Sequence, residues 1–146
     1  MDAAELELRN VTYRLFVELG RAPGADAVGS ALDLDLESVR LGWQRLHEQH
    51  AIVLDADGEI RMANPFSAVS TPHRVEAAGR SWYANCAWDA FGILAALGFD
   101  GRIETTCPDC DAPLVVEVRD GRPDDGTLVF HSLVDAAHWW DDIVFT

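Results

Sequence analysis

The spacing of apolar residues predicts three helices in the first third of the chain. Residues 3–20 have apolar side chains at mainly helical intervals, and Gly20 follows as an end signal. A Pro-Gly turn leads into a short helix over residues 25–32, and Asp35 is placed to cap a third helix over residues 36–50. The apolar side of that third helix consists of Val39, Leu41, Trp43, Leu46 and His47.

Short apolar runs on either side of a turn then predict a hairpin. Residues 51–54 and 59–62 favour strands, and the Asp-Ala-Asp-Gly sequence between them is typical of a tight turn. Three helices followed by a hairpin is the order of a winged helix-turn-helix. Residues 1–63 are therefore interpreted as a winged-helix-like module.

The next segment, residues 64–81, reads as a connector because it contains Pro65, Pro72 and Gly79. Its apolar residues Phe66 and Val75 predict that it packs across the surface of the protein.

One mostly apolar helix is predicted over residues 82–98, with Gly98 at its end. Cys86 and Asp89 lie near its start and share a face, with Cβ atoms roughly 5–6 Å apart. The positive end of the helix dipole favours a thiolate, and a protonated Asp89 would be a proton donor beside it. The alternative interpretation is a buried core cysteine next to a surface carboxylate.

The remainder of the chain predicts a small sheet. Strands are expected at residues 102–106, 114–118 and 128–130, a helical turn at 134–142, and a further strand from residue 143. The predicted fold class is α+β: a winged-helix-like three-helix module, followed by a helix packed on a small, mainly antiparallel sheet over residues 82–146.

A second cysteine motif, Cys107-x-x-Cys110, could supply half of a zinc site. The chain has no second such pair, and His131 and His138 do not follow at a familiar ligand spacing, so structural zinc is disfavoured. A redox dithiol and a simple strand-to-strand turn are the alternatives that remain.

The net negative charge of the chain limits the classes of partner that it is expected to bind. The chain has a formal net charge of −14, and residues 1–63 alone contain 12 acidic and 6 basic residues. This acidity disfavours binding to nucleic acid phosphates and to anionic membranes. Three cysteines, with neither a signal peptide nor an apolar run of spanning length, predict a cytoplasmic protein.

Residues 83–89 carry a recognisable motif, Tyr-Ala-Asn-Cys-Ala-Trp-Asp. It resembles the helix motif of the alkylmercury (organomercurial) lyases, in which a nucleophilic Cys precedes a catalytic Asp by three residues. Those enzymes also begin with a winged-helix-like module and continue through a Cys-containing turn, Ala-Pro and a strand, as in residues 107–118.

The resemblance implies a function and a set of ligands. Cys86 would attack mercury as a thiolate, and Asp89 would protonate the departing carbon and then bind the product ion. No cofactor would be required. The implied partners are a small organometallic or hydrophobic substrate and cellular thiols, with a mercury ion as product or ligand.

The chain departs from the family pattern at its second catalytic cysteine. The matching region, residues 139–146, contains no Cys, and Asp141 or Asp142 occupies that place. A carboxylate is a poor replacement for a thiolate on mercury, and Cys107 or Cys110 would replace it only if their turn folds over the helix.

Three hypotheses follow. The first is a lyase for carbon–mercury or related bonds that uses Cys86 and Asp89. The second is a differently active or non-catalytic relative that binds a metal or small molecule at Cys86, Asp89 and Asp141. The third is a winged-helix regulator. For a hydrophobic substrate, we expect an apolar pocket walled by Trp82, Trp88, Trp139 and Trp140.

Overall fold

The computed structural model describes residues 1–132 and 134–144, and its first third consists of three helices: α1 (Ala3–Leu19), α2 (Ala25–Leu32) and α3 (Leu36–Glu48). Asp2 and Glu5 form a reciprocal capping box at the start of α1, and Gly20 ends it with a left-handed φ of 69°. The Asp35 carboxylate accepts a hydrogen bond from the Ser38 N–H at 2.7 Å. All three helix predictions, and the predicted cap, are confirmed.

A buried polar chain fixes α1 against α3. The Trp43 indole N–H donates to the Thr12 hydroxyl at 3.0 Å, and that hydroxyl donates to the Leu8 carbonyl at 2.8 Å. Trp43 and Thr12 are both fully buried. Because each polar atom in this chain has a partner, the three-helix core can bury them without leaving an unpaired group.

The described residues form one antiparallel sheet of eight strands. Its order is β1-β2-β3-β5-β4-β6-β7-β8. The strands are β1 (Val53–Leu54), β2 (Ile60–Ala63), β3 (Phe66–Ser67), β4 (Arg74–Ala77), β5 (Arg80–Ala84), β6 (Gly101–Thr106), β7 (Pro113–Arg119) and β8 (Arg122–Pro123). The predicted α+β class with a mainly antiparallel sheet is confirmed.

The segment predicted as a connector is part of this sheet. Residues 64–81 contain β3, β4 and the first residues of β5, so the N-terminal hairpin continues directly into the later strands. Phe66 and Val75 face the core, and Ala78 and Gly79 make the tight turn between β4 and β5 with positive φ angles. The strands here are short and interrupted by Pro and Gly, and for that reason the sequence pattern favours a loop. The division at residues 63 and 81 stays a prediction.

The predicted helix over residues 82–98 begins later than expected. The helix α4 spans Ala87–Leu97, and Gly98 ends it with a left-handed φ of 65°. Trp82 belongs to β5 and is only 1% exposed, with its ring against Phe66. Alternating burial along β5 outweighs the helix propensity of the adjoining Ala-rich sequence.

The buried face of α4 consists of Ala90, Ile93 and Leu94. This face packs on β4, β5 and β6. The helix therefore lies across the middle of the sheet, with its N-terminus at the end of the sheet where β5 finishes.

The last part of the chain is less regular than predicted. Residues 128–130 form no strand, and Val129 is 87% exposed. The expected helical turn is present as a 3-10 helix over Ala136–Asp141. Ile143 and Val144 form a turn instead of the predicted strand, and Phe145 lies outside the described residues. Within the part of the chain that the structure describes, no helix is long and apolar enough to cross a membrane.

Candidate functional site

The candidate site begins where β5 passes into α4. The Ala84 N–H donates to the His73 carbonyl at 2.9 Å, and the Thr71 hydroxyl donates to the Ala84 carbonyl at 2.7 Å. These two bonds fix the end of β5, so that Asn85 and Cys86 make the short passage into the helix.

Cys86 is the N-cap residue of α4, and Asp89 is the third residue of the helix. The backbone at Cys86 is extended, with φ of −145° and ψ of 178°, and its carbonyl accepts the first helical hydrogen bond from Ala90 at 3.1 Å. These are the two positions of a capping box, here occupied by a thiol and a carboxyl group. The structure therefore brings the predicted pair together.

The Cys86 thiol is half-buried. Burial raises its pKa above the ordinary value, the backbone N–H groups of Asp89 and Trp88 oppose that effect, and the negative charge of Asp89 adds to it. The net direction is upward, so the sulfur carries its proton at neutral pH. The N–H groups at the start of the helix favour the thiolate as predicted, but removal from water has the larger effect on the pKa of Cys86.

Burial likewise raises the pKa of the Asp89 carboxyl group, while hydrogen bonds from the Asn85 and Cys86 side chains lower it. The Asn85 amide donates to Asp89 Oδ2 at 3.2 Å and to Asn64 Oδ1 at 2.9 Å. The buried Asn85 Oδ1 has no hydrogen-bond partner among the residues described. Asp89 is thus an oriented carboxyl group that binds a proton more tightly than an ordinary aspartate does.

Tyr13 connects α1 to this site. Its hydroxyl donates to the carbonyls of Ala51 and Asn64, both at 3.1 Å. Burial raises the pKa of Tyr13, the Arg9 guanidinium lowers it, and the charge of Asp89 raises it further.

The sequence did not identify Tyr13 and Asn64, because no local pattern indicates contacts between residues so far apart in the chain. Asn85 had a signal, since it lies next to Cys86 and one helical turn before Asp89.

The other predicted ligands lie elsewhere. Cys107 and Cys110 are in the turn between β6 and β7, and Asp141 is on the exposed 3-10 helix, where its carboxylate bonds His138 Nδ1 at 3.0 Å. Over residues 1–132 and 134–144, no group of three or more His, Cys, Asp or Glu residues could hold a metal ion. The structure therefore joins Cys86 only with Asp89.

The four tryptophans do not form the expected common pocket. Trp82 lies in the core and donates to the Val17 carbonyl at 3.2 Å, whereas Trp140 stacks on His50 with ring centroids 4.2 Å apart. Trp88 is 56% exposed and packs against Phe130. Trp82 faces inward because strand alternation, and not helical periodicity, sets its direction.

Comparisons with known proteins agree with the arrangement of these elements. A solved structure described as the mercury-bound form of MerB2 superposes with a TM-score of 0.65, at 23% sequence identity, over 82% of this chain and 59% of that chain. The chain thus spans less than two thirds of that relative, and the likeness shows the fold. No curated protein matches the sequence.

The family resemblance is tested independently by a match to a family model. The model MerB, alkylmercury lyase, matches residues 66–146, from β3 through the Cys86–Asp89 pair to the end of the chain. Because this match covers more than half of the sequence, the protein belongs to the alkylmercury lyase family.

Proposed function

We propose that this protein cleaves carbon–mercury bonds by protonolysis, with Cys86 as the nucleophile and Asp89 as the acid. The observation that carries the proposal is the pairing of a half-buried thiol at the N-cap of α4 with a carboxyl group of raised pKa three residues later. Family membership supports the choice of substrate.

In the first step the sulfur captures the metal. An organomercurial arrives with one carbon ligand and one small thiolate, and Cys86 replaces the thiolate on mercury. The proton of Cys86 leaves with the displaced thiol. As the sulfur becomes an anion, the N–H groups of Trp88 and Asp89 stabilise it, as the start of a helix does for other anions.

In the second step the carbon leaves. Asp89 transfers its proton to the carbon bonded to mercury, the carbon–mercury bond breaks, and the hydrocarbon departs. The carboxylate that results binds the mercury ion together with Cys86. Two external thiols then remove the ion and return their protons to Cys86 and Asp89, which balances the cycle.

Burial supports this allocation of protons. It raises the pKa of both groups and so increases the fraction of sites that hold one proton on sulfur and one on the carboxyl group, the form from which the proposed reaction starts. The Asn85 amide orients the Asp89 carboxyl group, and it donates a hydrogen bond to the Asp89 carboxylate that remains after the carbon is protonated. A positioned acid with a raised pKa is the requirement for protonating a developing carbanion near neutral pH.

A stoichiometric metal-binding role is the second candidate. The observation that favours it is the absence of a third His, Cys, Asp or Glu ligand beside Cys86 and Asp89 in the described parts of the chain. A relative with this pair alone would capture a soft metal ion at Cys86 without breaking a bond to carbon.

Turnover of phenylmercury in excess small-molecule thiol distinguishes the two candidates. We expect the wild type to release many equivalents of benzene, and Cys86→Ser and Asp89→Ala to release none. Asp57→Ala, in the exposed turn of the first hairpin, is the matched control and should retain activity. Binding of one equivalent by the wild type without benzene release would establish the binding role instead.

A further inference from the structure

The turn between β6 and β7 holds the cysteine pair that the proposed reaction does not use. The Cys107 N–H donates to the Ala112 carbonyl, and the Asp111 N–H donates to the Cys107 carbonyl, both at 2.9 Å. Asp111 has a left-handed φ of 54°, which reverses the chain inside the turn. Cys107 is half-buried and Cys110 is exposed, so a solute can reach the pair.

The surroundings of Cys107 differ from those of Cys86. The backbone N–H groups of Asp109 and Cys110, together with the Cys110 thiol, lower the pKa of Cys107. The two cysteines lie three residues apart in one hydrogen-bonded turn, and this Cys-x-x-Cys spacing is the one that places two sulfurs on a single metal ion.

The register of the sheet places this turn at the same end as Cys86. Thr105 Oγ1 contacts His73 Nδ1 at 2.7 Å on one side of the β4 start, and Ala84 bonds the His73 carbonyl on the other. Cys107 follows Thr105 by two residues, and Cys86 follows Ala84 by two residues. Since neighbouring strands lie about 4.8 Å apart, β5 and β6 are separated by roughly 10 Å across β4.

We propose that Cys107 and Cys110 form a second, two-thiolate site that accepts the soft metal ion released from Cys86. The origin of the ion rests on the proposed function. The binding itself does not. When the ion moves, Cys107 and Cys110 lose their protons and form two sulfur–metal bonds. Cys86 and Asp89 lose their bonds to the metal and take up those two protons.

The number of ligands selects the ion. Structural zinc takes four protein ligands, and the described residues offer no third His, Cys, Asp or Glu beside the pair. Two thiolates suit a soft ion such as Hg²⁺, which prefers sulfur to oxygen. Because the two sulfurs belong to one short turn, the second bond forms at high effective concentration, and the chelate resists external monothiols.

The first test uses Cys86→Ser, which removes the lyase nucleophile. The protein is loaded with Hg²⁺ in a large excess of 2-mercaptoethanol, desalted, and analysed for bound metal and for thiolate-to-metal absorbance. We expect one equivalent to remain bound. Adding Cys107→Ser or Cys110→Ser should reduce the retained metal more than tenfold, because a single thiolate exchanges with the monothiol.

Equal retention by the double variants would overturn the proposal, because the ion would then be bound elsewhere. Circular dichroism of each variant checks the fold, and the exposed position of Cys110 makes its isosteric replacement the milder of the two changes. Since no carbon–metal bond is broken in this assay, failure of the lyase reaction would leave its result unaffected.

The second test places the ion in the wild type. One equivalent of Hg²⁺ is added, free thiols are alkylated with iodoacetamide, and the modified cysteines are identified by mass spectrometry. We expect alkylated Cys86 and protected Cys107 and Cys110. The reverse pattern would show that the ion stays at Cys86, and it would overturn the transfer.

Discussion

At the residue scale, the proton on Asp89 depends on two opposing influences. Burial favours the neutral acid, and the Asn85 amide favours the carboxylate. The amide is itself held by Asn64, so the carboxyl group has a fixed direction as well as an altered proton affinity.

Asn85→Ala should move the pH dependence of turnover. Loss of the donor to the carboxylate raises the pKa of Asp89 further, and activity that requires protonated Asp89 is lost as the pH rises through that pKa. The descending limb of the profile for hydrocarbon release should therefore shift to higher pH, with turnover lowered several-fold by the lost orientation. Asn10→Ala, on the exposed side of α1, is the control. A limb that stays in place would show that Asp89 is not the acid.

Asp89→Asn should stabilise the protein at neutral pH while removing activity. The folded pKa of Asp89 is raised, so the wild type is most stable below the unfolded pKa and loses stability as the pH rises through the folded pKa. Asparagine carries no charge and avoids that loss. We expect a gain on the order of 0.5 kcal/mol in the free energy of unfolding above that pKa, kept small by solvent screening.

Urea titrations of Asp89→Asn at several pH values provide the measurement. The difference from wild type should vanish in acid, where Asp89 is protonated. Asp57→Asn, in an exposed turn, is the matched control. A difference that grows toward low pH would contradict the assignment of a raised pKa.

At the element scale, α1 and α3 are joined through buried hydrogen bonds as well as apolar contacts. Thr12 accepts from Trp43 and donates to the turn of helix before it. A hydroxyl in that place specifies which face of α1 meets α3, since any other rotation leaves the indole N–H without a partner.

Thr12→Val keeps the shape of the side chain and removes the hydroxyl. The buried Trp43 N–H then has no acceptor, which costs about 1–3 kcal/mol in the free energy of unfolding. Chemical denaturation followed by tryptophan fluorescence measures this loss. Thr127→Val, in the exposed segment after β8, should change stability by about 0.5 kcal/mol at most. Equal effects of the two substitutions would refute the role of the buried bond.

At the scale of the whole molecule, hydrogen bonds join helix α1 to the part of the sheet that leads into the candidate site. Trp82 of β5 bonds the Val17 carbonyl of α1, and Tyr13 of α1 bonds the carbonyl of Asn64, whose side chain holds Asn85. Through these hydrogen bonds the N-terminal helices support the residues that orient Asp89, and this support does not require nucleic acid binding.

Tyr13→Phe tests that connection. Removal of the hydroxyl releases the backbone at Asn64 and loosens the support of Asn85, so we expect turnover to fall several-fold with less change in KM. Stability should fall by about 1 kcal/mol for the lost hydrogen bonds. Tyr83→Phe, at a partly exposed position of β5, is the matched control. Wild-type turnover in Tyr13→Phe would mean that α1 supports the fold alone.

The sequence by itself determined the features that depend on neighbours in the chain. Helical spacing and the caps at Asp35, Gly20 and Gly98 are local, and all of them appear in the structure. The Cys86–Asp89 pair was predictable for the same reason, because three residues separate the members whether Cys86 lies inside the helix or caps it.

Only the tertiary structure decided the features that depend on burial and on distant pairing. The strands within residues 64–81 exist because β3 and β5, and β4 and β6, pair across the sheet, and no short-range pattern encodes those partners. The raised pKa of Cys86 and the contact of Tyr13 with Asn64 have the same origin. Removal from water is a property of the assembled core, so the sequence predicted the Cys86–Asp89 pair and the fold raised the pKa of both groups.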